Sequence, residues 1–257
     1  MQVKLRLATP QDAEALLEIY APYVKQTAIS FEYDVPGAAE FAGRIEQTLQ
    51  RYPYLLAYVS DEATFANNER DENFKISASA AGAESEISRA DKEQNYANIA
   101  AKQNGANLIV AAKQSGVNLK PGQILGYAYA SAFKERAAYD WSAESSVYVS
   151  QNVRTFGIGR LFYEALQRAL KAQNIVDMNA SIACGDDEYL NDASVRFHER
   201  MVFRFVGRFQ RCAYKFGRWY DMAWMQKPIG EHLQNQPVMR PFARFRDEIC
   251  ASTDIEI

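Results

Sequence analysis

Residues 154–159, RTFGIG, decide the fold class, because they join a strand-like run to a helix-like run. The strand-like run is SSVYV at 145–149, and the helix-like run RLFYEAL begins at Arg160. The first backbone N–H groups of a helix have no partners within the helix, and the helix dipole adds partial positive charge there. Glycines let a ligand approach the backbone, and Arg154 adds a charged donor. The stretch therefore predicts a phosphate-binding loop between a strand and a helix.

Two common phosphate motifs do not match this loop. A dinucleotide-binding fingerprint requires a third glycine three positions after Gly159, where Phe162 stands instead. A P-loop requires Gly-Lys-Ser/Thr, whereas Arg160 and Leu161 follow Gly159. A plain strand-to-helix turn without a ligand also remains open on these residues alone.

Composition restricts the protein to an ordinary folded class. The chain has 257 residues, is 48% hydrophobic, and carries a net charge of −3 with a pI of about 5.6. We therefore expect a sizeable core and no binding of nucleic acid or anionic membrane by bulk charge. The odd, widely spaced cysteines Cys184, Cys212 and Cys250 indicate a reducing cytoplasm, and no metal site is expected. The N-terminus alternates like a strand, and no signal peptide or membrane span is expected.

Around the loop, strand-like and helix-like runs alternate along the chain. Thr9, Pro10 and Asp12 form a helix start, and apolar residues at helical spacing continue to Tyr20. A second helix is predicted between Pro36 and Pro53, followed by a strand at 54–59. Further strands are predicted at 3–7, 124–130, 145–149, 178–184, 203–214 and 219–225, with helices after Gly159 and at 194–201. The pattern indicates one mixed α/β domain over 1–231, followed by a C-terminal tail at 232–257.

A polar insert at 61–121 interrupts this order. Residues 61–95 are rich in Glu, Asp, Asn, Ser and Ala, and a short repeat follows, IAAKQNGANL at 99–108 and VAAKQSGVNL at 110–119. The insert is interpreted either as a flap over a substrate mouth or as a surface excursion. A surface excursion is tolerated because the entropy of loop closure grows slowly with length. We favour the excursion, because long loops are usually either functional or disordered and this composition indicates disorder.

Four further motifs carry a resemblance to a known family. They are YAYASAFKERAAYDWSAESSVYV at 127–149, FHE at 197–199, YKFGRWYDM at 214–222 and ISFEY at 29–33. Together with the glycine loop, they resemble the phosphinothricin and methionine sulfoximine branch of the GCN5-related N-acetyltransferase (GNAT) superfamily. The resemblance implies a mixed three-layer α/β/α fold, whose mostly antiparallel central sheet is splayed at the CoA site. It also implies acetyl-CoA as cosubstrate, a small-molecule amine acceptor and a homodimer.

The resemblance also assigns site residues. Glu144 is expected to be the general base that takes the proton of the acceptor amine, although a carboxylate can also simply solvate a strand start. His198 is either a lining residue or the acid that protonates the leaving thiolate. The implied cofactor-binding residues are Val147, Tyr148, Val149, Arg154, Thr155, Phe156, Gly157, Ile158, Gly159, Arg160, Asn191 and Ser194. The acceptor-pocket candidates are Phe31, Arg136, Tyr139, Lys215 and Arg218, of which the arginines can also be solvated surface charges.

Direct transfer is expected, since no cysteine stands in a nucleophile context. Two rival functions stay open: acetylation of another amine, such as a polyamine or a protein N-terminus, and a CoA-binding module without catalysis.

The chain departs from the family pattern at two places. Met201-Val202-Phe203 stands where the family has Leu-Gly-Phe, so a positive φ at Val202 would cost about 1–3 kcal/mol. The acidic loop CGDDE at 184–188 is expected to repel an anionic substrate.

Overall fold

The computed structural model describes residues 2–60, 116–154, 156–253 and 255–257. In that part of the chain, the strands form a single seven-stranded sheet in the order β1-β2-β3-β4-β5-β7-β6. Every neighbouring pair is antiparallel except β4 and β5, which are parallel. The strands are β1 Gln2–Leu7, β2 Tyr54–Ser60, β3 Ile124–Ala132, β4 Ser142–Val149, β5 Asp177–Cys184, β6 Arg204–Lys215 and β7 Arg218–Pro228.

Helices cover both faces of this sheet, so the predicted three-layer α/β/α class is confirmed. They are α1 Ala13–Gln26, α2 Ala38–Arg51, α3 Ile158–Ala172, α4 Ala193–Arg200 and α5 Phe242–Thr253. Helices α1 and α2 bury Leu16 and Ile45 against Tyr127 on one face. Helices α3 and α5 bury Phe162 and Phe242 on the other. Apolar burial on both faces is the main force holding the three layers together.

The sheet forks between β4 and β5. These strands pair at Ser142–Asp177, Ala143–Met178 and Glu144–Asn179, and their ladder ends there. Strand β4 continues beside β3 to Val149, while β5 continues beside β7 to Cys184. The two strands therefore separate just after Glu144. Beyond that residue, the edges of β4 and β5 that face each other do not pair with each other.

The predicted start of the first helix is confirmed. Thr9 and Asp12 form a capping box around a short 3₁₀ turn at Pro10–Asp12, and α1 follows at Ala13. Arg6 holds the Asp12 carboxylate through bonds of 2.6 and 2.9 Å. Burial alone would raise the pKa of Asp12, but the Arg6 and Thr9 hydrogen bonds outweigh it and lower that pKa.

The C-terminal residues predicted as a tail at 232–257 pack into the domain instead. Phe242 and Ile249 of α5 are fully buried in the core beside α3. The Leu7 N–H donates to the Glu256 carbonyl at 2.8 Å, and the Glu256 N–H donates to the Leu5 carbonyl at 3.1 Å. This extra pairing satisfies backbone groups at the β1 edge, which would otherwise be an open sheet edge.

The insert connects two neighbouring antiparallel strands, because its ends leave β2 and enter β3. Residues 61–115, with most of the repeat, lie outside the described residues. Its last residues belong to the domain: Leu119 is buried, and the Gly122 N–H donates to the Val59 carbonyl at 2.8 Å. None of the helices in the described ranges has the length and apolar character needed to cross a membrane.

Candidate active site

Glu144 lies at the fork, where side chains tie β4 to β5. The Ser181 hydroxyl of β5 donates to Glu144 Oε1 at 2.6 Å. Asn179 Nδ2 donates to the Ser142 hydroxyl at 2.7 Å, and the Ser145 hydroxyl donates to the Asn179 carbonyl at 3.0 Å. The carboxylate is only partly buried, so it is accessible from the open side of the fork. Ser181 was not singled out from the sequence, although an exposed serine in an otherwise buried strand is a polar mismatch.

Beyond the fork, the free edge of β4 meets helix α1. The Tyr23 hydroxyl donates to the Val149 carbonyl at 2.6 Å and accepts from the Val149 N–H at 3.2 Å. Because backbone groups two residues apart point to the same strand edge, those of Val147 also face the opening. Tyr148 packs edge-on against Tyr23, with ring centroids 5.1 Å apart. The predicted Val147, Tyr148 and Val149 therefore lie along the open edge.

The glycines of the loop have different physical roles. Gly157 has φ 87° and is the N-cap residue of α3, a conformation that side chains rarely adopt. A Cβ on Gly159 would lie 3.2 Å from the Phe197 ring, so this glycine lets α4 approach α3. Ile158 is buried under the loop, Phe156 is half-buried, and Thr155 lies outside the described residues.

Of Arg154 and Arg160, the two arginines predicted to bind the cofactor, only Arg154 is available to a ligand. Arg154 is exposed, and its guanidinium carbon lies 4.9 Å from the centroid of the Tyr23 ring, which holds the side chain beside the fork. Arg160 forms an ion pair with Glu164 one turn further along α3, at 3.0 Å. The N-terminus of α3 thus combines unpaired helical N–H groups, a left-handed glycine and one available charge.

His198 is buried and neutral. Its Nδ1 bonds the Ser194 carbonyl at 2.7 Å, so Nδ1 carries the proton, and its Nε2 accepts from the Tyr163 hydroxyl at 2.6 Å. Burial lowers the pKa of His198 to about 4. The one N–H of the neutral imidazole is bonded to the Ser194 carbonyl, and the other nitrogen carries no proton near pH 7. The geometry therefore does not support the acid role expected for His198.

Asn191 and Ser194, the two predicted cofactor-binding residues near the start of α4, form hydrogen bonds within that part of the chain. Asn191 Oδ1 accepts from the Ala193 N–H at 3.0 Å, which makes Asn191 a helix-start cap. Ser194 contributes its carbonyl to His198. The Asn191 amide and the Ser194 hydroxyl are left as the groups that can reach a ligand.

The acceptor-pocket candidates are not brought together. Phe31 packs 6.5 Å from the Tyr220 ring, in a cluster with Ala183, which lies two residues beyond Ser181 on the same face of β5. Arg136 and Tyr139 are exposed on the β3–β4 connection, where the Tyr139 N–H donates to the Arg136 carbonyl at 2.9 Å. Phe31 therefore packs in a cluster at the part of β5 that lies beyond its ladder with β4, whereas Arg136 and Tyr139 lie at the surface.

Arg218 is paired with the acidic loop. It donates to both oxygens of Glu188 at 2.6 and 2.7 Å and lies 3.2 Å from Asp187. Burial alone would raise the pKa of Asp187, but the Tyr189 N–H, Tyr220 hydroxyl and Arg218 hydrogen bonds lower it. The predicted repulsion from this loop is thus partly cancelled, and both Arg218 Nη atoms are bonded to Glu188 rather than free for an acceptor.

The ion pair between Arg44 and Glu32, on the Glu144 side of the sheet, was not predicted from the sequence. Arg44 of α2 donates to Glu32 at 2.7 Å and to Glu40 at 2.5 Å. Burial and nearby charges shift the pKa of Tyr129 upward, with Glu144 and Glu32 raising it and Arg44 lowering it. The Tyr129 hydroxyl therefore lies within the electric field of Glu144, Glu32 and Arg44. The Glu32 side chain is 36% exposed, while its Oε2 is buried, so its negative charge lies at the edge of this space.

No group of three or more His, Cys, Asp and Glu side chains in the described ranges is arranged to hold a metal ion.

A forked mixed sheet beside a glycine-containing strand-to-helix loop, with a carboxylate at the fork, defines a class of acyl-CoA-dependent transferases. The family model that matches is "Acetyltransferase (GNAT) domain", over residues 115–224. A crystal structure of a GNAT superfamily phosphinothricin acetyltransferase from Sinorhizobium meliloti, in complex with AcCoA, superposes with a TM-score of 0.63 and 25% identity. That match covers 94% of this chain and 96% of the other.

Two sequence relatives are phosphinothricin N-acetyltransferases. The Streptomyces coelicolor protein is 40% identical over 107 residues, which are 42% of this chain and 60% of the relative. The Streptomyces viridochromogenes protein is 25% identical over 236 residues, which are 92% of this chain and 93% of the relative. The chain is similar to GNAT acetyltransferases, phosphinothricin N-acetyltransferases among them.

Proposed function

We propose that this protein transfers the acetyl group of acetyl-CoA to the primary amine of a small amino-acid-like acceptor. The observation that carries the proposal is Glu144 at the β4–β5 fork, partly exposed and held by Ser181 at 2.6 Å. The names of the relatives support an acceptor such as phosphinothricin. Methionine sulfoximine and natural amino acids have the same α-amino acid head and belong to the same proposal.

The residues around the fork fit acetyl-CoA. The Gly157 cap and the first N–H groups of α3 suit a pyrophosphate, with Arg154 as the charged donor. The free β4 edge at Val147 suits the amide groups of an extended pantetheine arm, in the manner of an added strand. When bound, acetyl-CoA supplies an activated thioester carbonyl to the fork.

Glu144 then acts on the acceptor. An ammonium must lose its proton before its nitrogen can attack a carbonyl, and a carboxylate at the fork accepts that proton directly or through a water. Ser181 fixes the orientation of the carboxylate by bonding one oxygen, which leaves the other for the acceptor. We propose no protein acid for the leaving thiolate, since a thiol with an ordinary pKa near 8.5 is a tolerable leaving group.

Direct transfer is supported by the cysteines. Burial raises the pKa of the Cys184 thiol, and it raises that of Cys250 to about 11, so neither is a thiolate near pH 7. Cys212 is exposed on β6. All three are free thiols, which also supports the proposal of a cytoplasmic location.

We also propose a homodimer that covers the exposed edge of the sheet. Strand β6 is the last strand, and it exposes Phe205 by 59% and Phe209 by 56%, with Trp219 of β7 exposed by 61%. Large apolar residues clustered at a sheet edge mark an interaction surface. Sedimentation velocity should give a dimer mass for wild type, and Phe209→Asp should shift it toward the monomer. A monomeric wild type at micromolar concentration would refute this.

Thiol release from acetyl-CoA tests the activity. The protein is supplied with phosphinothricin, methionine sulfoximine, natural amino acids, a polyamine and a peptide with a free N-terminus. We expect turnover with the first two, and mass spectrometry should find the acetyl group on the α-amine. Preference for the polyamine or the peptide would favour the rival acceptor classes. Acetyl-CoA binding without thiol release for any amine would favour the rival binding module.

A further inference from the structure

Lys215 is a fully buried lysine whose charge is used inside the protein. Its side chain is 2% exposed, and its ammonium donates to three backbone carbonyls: Val24 at 2.8 Å, Thr27 at 3.0 Å and Ser30 at 2.6 Å. Each of its three N–H groups therefore has a partner. Lys215 was a candidate for the acceptor pocket, but its ammonium points away from any ligand and into the chain.

The three carbonyls belong to one continuous segment, residues 24–30, which ends α1 and enters the loop that carries Phe31 and Glu32. The C-terminal carbonyls of a helix lack partners within the helix and carry partial negative charge, so an ammonium there is favourable. Lys215 stands at the end of β6, and the tight turn at Phe216 and Gly217, both with positive φ, places it.

Other contacts tie the same loop to the same hairpin region. The Ala28 N–H donates to the Tyr189 carbonyl at 3.1 Å, and the Tyr189 ring stacks on Phe216 at 4.3 Å. The Tyr33 hydroxyl donates to the Tyr214 carbonyl. The Ser30 hydroxyl bonds the Tyr20 hydroxyl at 2.7 Å. The loop thus joins α1 to the hairpin, with Lys215 as its one buried charge in the described residues.

We propose that Lys215 is a positioning residue for the acceptor: it holds loop 27–32 against the sheet, so that Phe31 and Glu32 line the space beside Glu144. This inference rests on the proposed function. A buried ammonium is costly unless all its donors are satisfied, so the loop is strongly favoured in the one arrangement that satisfies them. Binding then needs little ordering of the loop, and affinity for the acceptor is retained.

The chemistry that this loop would offer is specific to the acceptor. Phe31 supplies an apolar wall near Tyr220, and Glu32, whose side chain is 36% exposed, supplies a negative charge suited to an ammonium. Acetyl-CoA is proposed to lie instead against β4 and the N-terminus of α3. Loss of Lys215 should therefore act on one substrate and spare the other.

The test compares Lys215→Met with Lys25→Met in the full chain. Lys25 is the exposed lysine in the last turn of α1, so its variant removes a cation from the same helix end without touching the buried bonds. For Lys215→Met, the KM for the acceptor is expected to rise about tenfold or more while the KM for acetyl-CoA stays within about twofold. Lys25→Met should match wild type in both. Lys215→Gln, which keeps a polar head, should fall between.

Hydrogen exchange provides a readout that does not depend on turnover. In Lys215→Met, amide protons of residues 27–33 should exchange faster, while those of β2 and β3 keep wild-type protection. If the Met variant does not fold, both measurements are made on Lys215→Gln. An unchanged acceptor KM with unchanged exchange would overturn the proposal. So would parallel losses in both KM values and protection throughout the sheet, because these indicate general destabilisation. A wild type that acetylates no amine would refute the proposed function, and faster exchange limited to 27–33 would still support the positioning role.

Discussion

At the level of single residues, Glu144 lies where the chemistry is proposed to occur. Replacing it with Gln keeps its shape but removes its ability to take a proton, so kcat should fall about 10²–10⁴-fold with acetyl-CoA affinity unchanged. The loss should shrink at high pH, because more of the acceptor amine is then already neutral. The measurement is a pH–rate profile for both proteins on the same acceptor.

Ser181→Ala is the graded control for this prediction. It keeps the carboxylate and removes only its 2.6 Å donor, so its kcat should lie between wild type and Glu144→Gln. Equal rates for wild type and Glu144→Gln at pH 7 would exclude Glu144 as the base.

Val202 is a strained residue with a testable consequence for stability. It has φ 66° and ends α4, with its N–H bonded to the Glu199 carbonyl and the Phe203 N–H bonded to the His198 carbonyl. This is the Schellman arrangement, whose left-handed position usually holds glycine. Val202→Gly should therefore stabilise the protein by about 1 kcal/mol, the relief of strain exceeding the backbone entropy of the new glycine.

Urea unfolding measures this change, and Val238→Gly is the control. Val238 is 79% exposed and has no positive φ, so glycine there should bring no stabilisation. A Val202→Gly protein less stable than wild type would show that the valine side chain contributes more than the strain costs.

The lowered pKa of the buried His198 predicts that the protein loses stability in acid. Its folded pKa is about 4 against an ordinary 6.5, so above pH 6.5 both states are neutral and the group adds no pH dependence. As pH falls from 6.5 to 4, the unfolded state takes a proton that the folded state refuses, and stability drops by up to about 3 kcal/mol. Unfolding free energies at pH 7, 5.5 and 4.5 should show this slope.

His198→Gln should remove that slope, whatever its own cost at pH 7. His232→Gln is the matched control, because His232 is largely exposed and bonds Asp177 at 2.8 Å near the surface. A slope that persists unchanged in His198→Gln would assign the acid sensitivity to other groups.

At the level of elements, the N-terminus of α3 is where we expect the pyrophosphate. Gly157→Asp and Gly157→Asn place side chains of nearly equal size at φ 87°, a conformation that both residues tolerate better than most. The two variants should share the steric and strain costs, while the Asp charge should repel the phosphates. Calorimetric titration with CoA should therefore show weaker binding for Asp than for Asn. Equal affinity of the folded variants would mean that no phosphate lies at this helix end.

At the level of the whole molecule, the two strands that flank residues 61–115 meet each other without any contribution from those residues. Strands β2 and β3 are antiparallel neighbours, and bonds between Val59 and residues 122–123 bring the two ends of the insert together. A short glycine-containing turn can replace 61–115, because shortening a loop between adjoining ends costs little. Leu119 is kept, since it is buried in the core.

The shortened protein should keep its melting temperature within a few degrees and retain turnover with the same acceptor KM. A version that also removes 116–121 is the contrasting control, and it should lose stability with Leu119. Loss of turnover in a well-folded 61–115 deletion would mean that the insert forms part of the acceptor site.

Local sequence patterns were sufficient for most elements and for the strand–loop–helix turn at Gly157. The Thr9 and Asp12 cap, the Gly157 turn and the alternation of β3 depend on neighbours within a few residues, so their physics can be read along the chain. The strain at Val202 was predicted from the resemblance, because the family has glycine at that position. Helix α5 lies in the predicted tail, and its place in the domain depends on packing beside α3 that no local pattern shows.

Contacts between distant residues required the tertiary structure. Arg218 appears free in the sequence, but folding brings it to Glu188. Lys215 was predicted to line the acceptor pocket, but it meets the end of α1 across 185 or more residues. The neutrality of His198 depends on its burial in the packed chain. The sequence by itself thus determined most of the elements and the strand–loop–helix turn, because these follow from local geometry. The tertiary structure alone decided which charges remain available at the fork, because burial and pairing are properties of the packed chain.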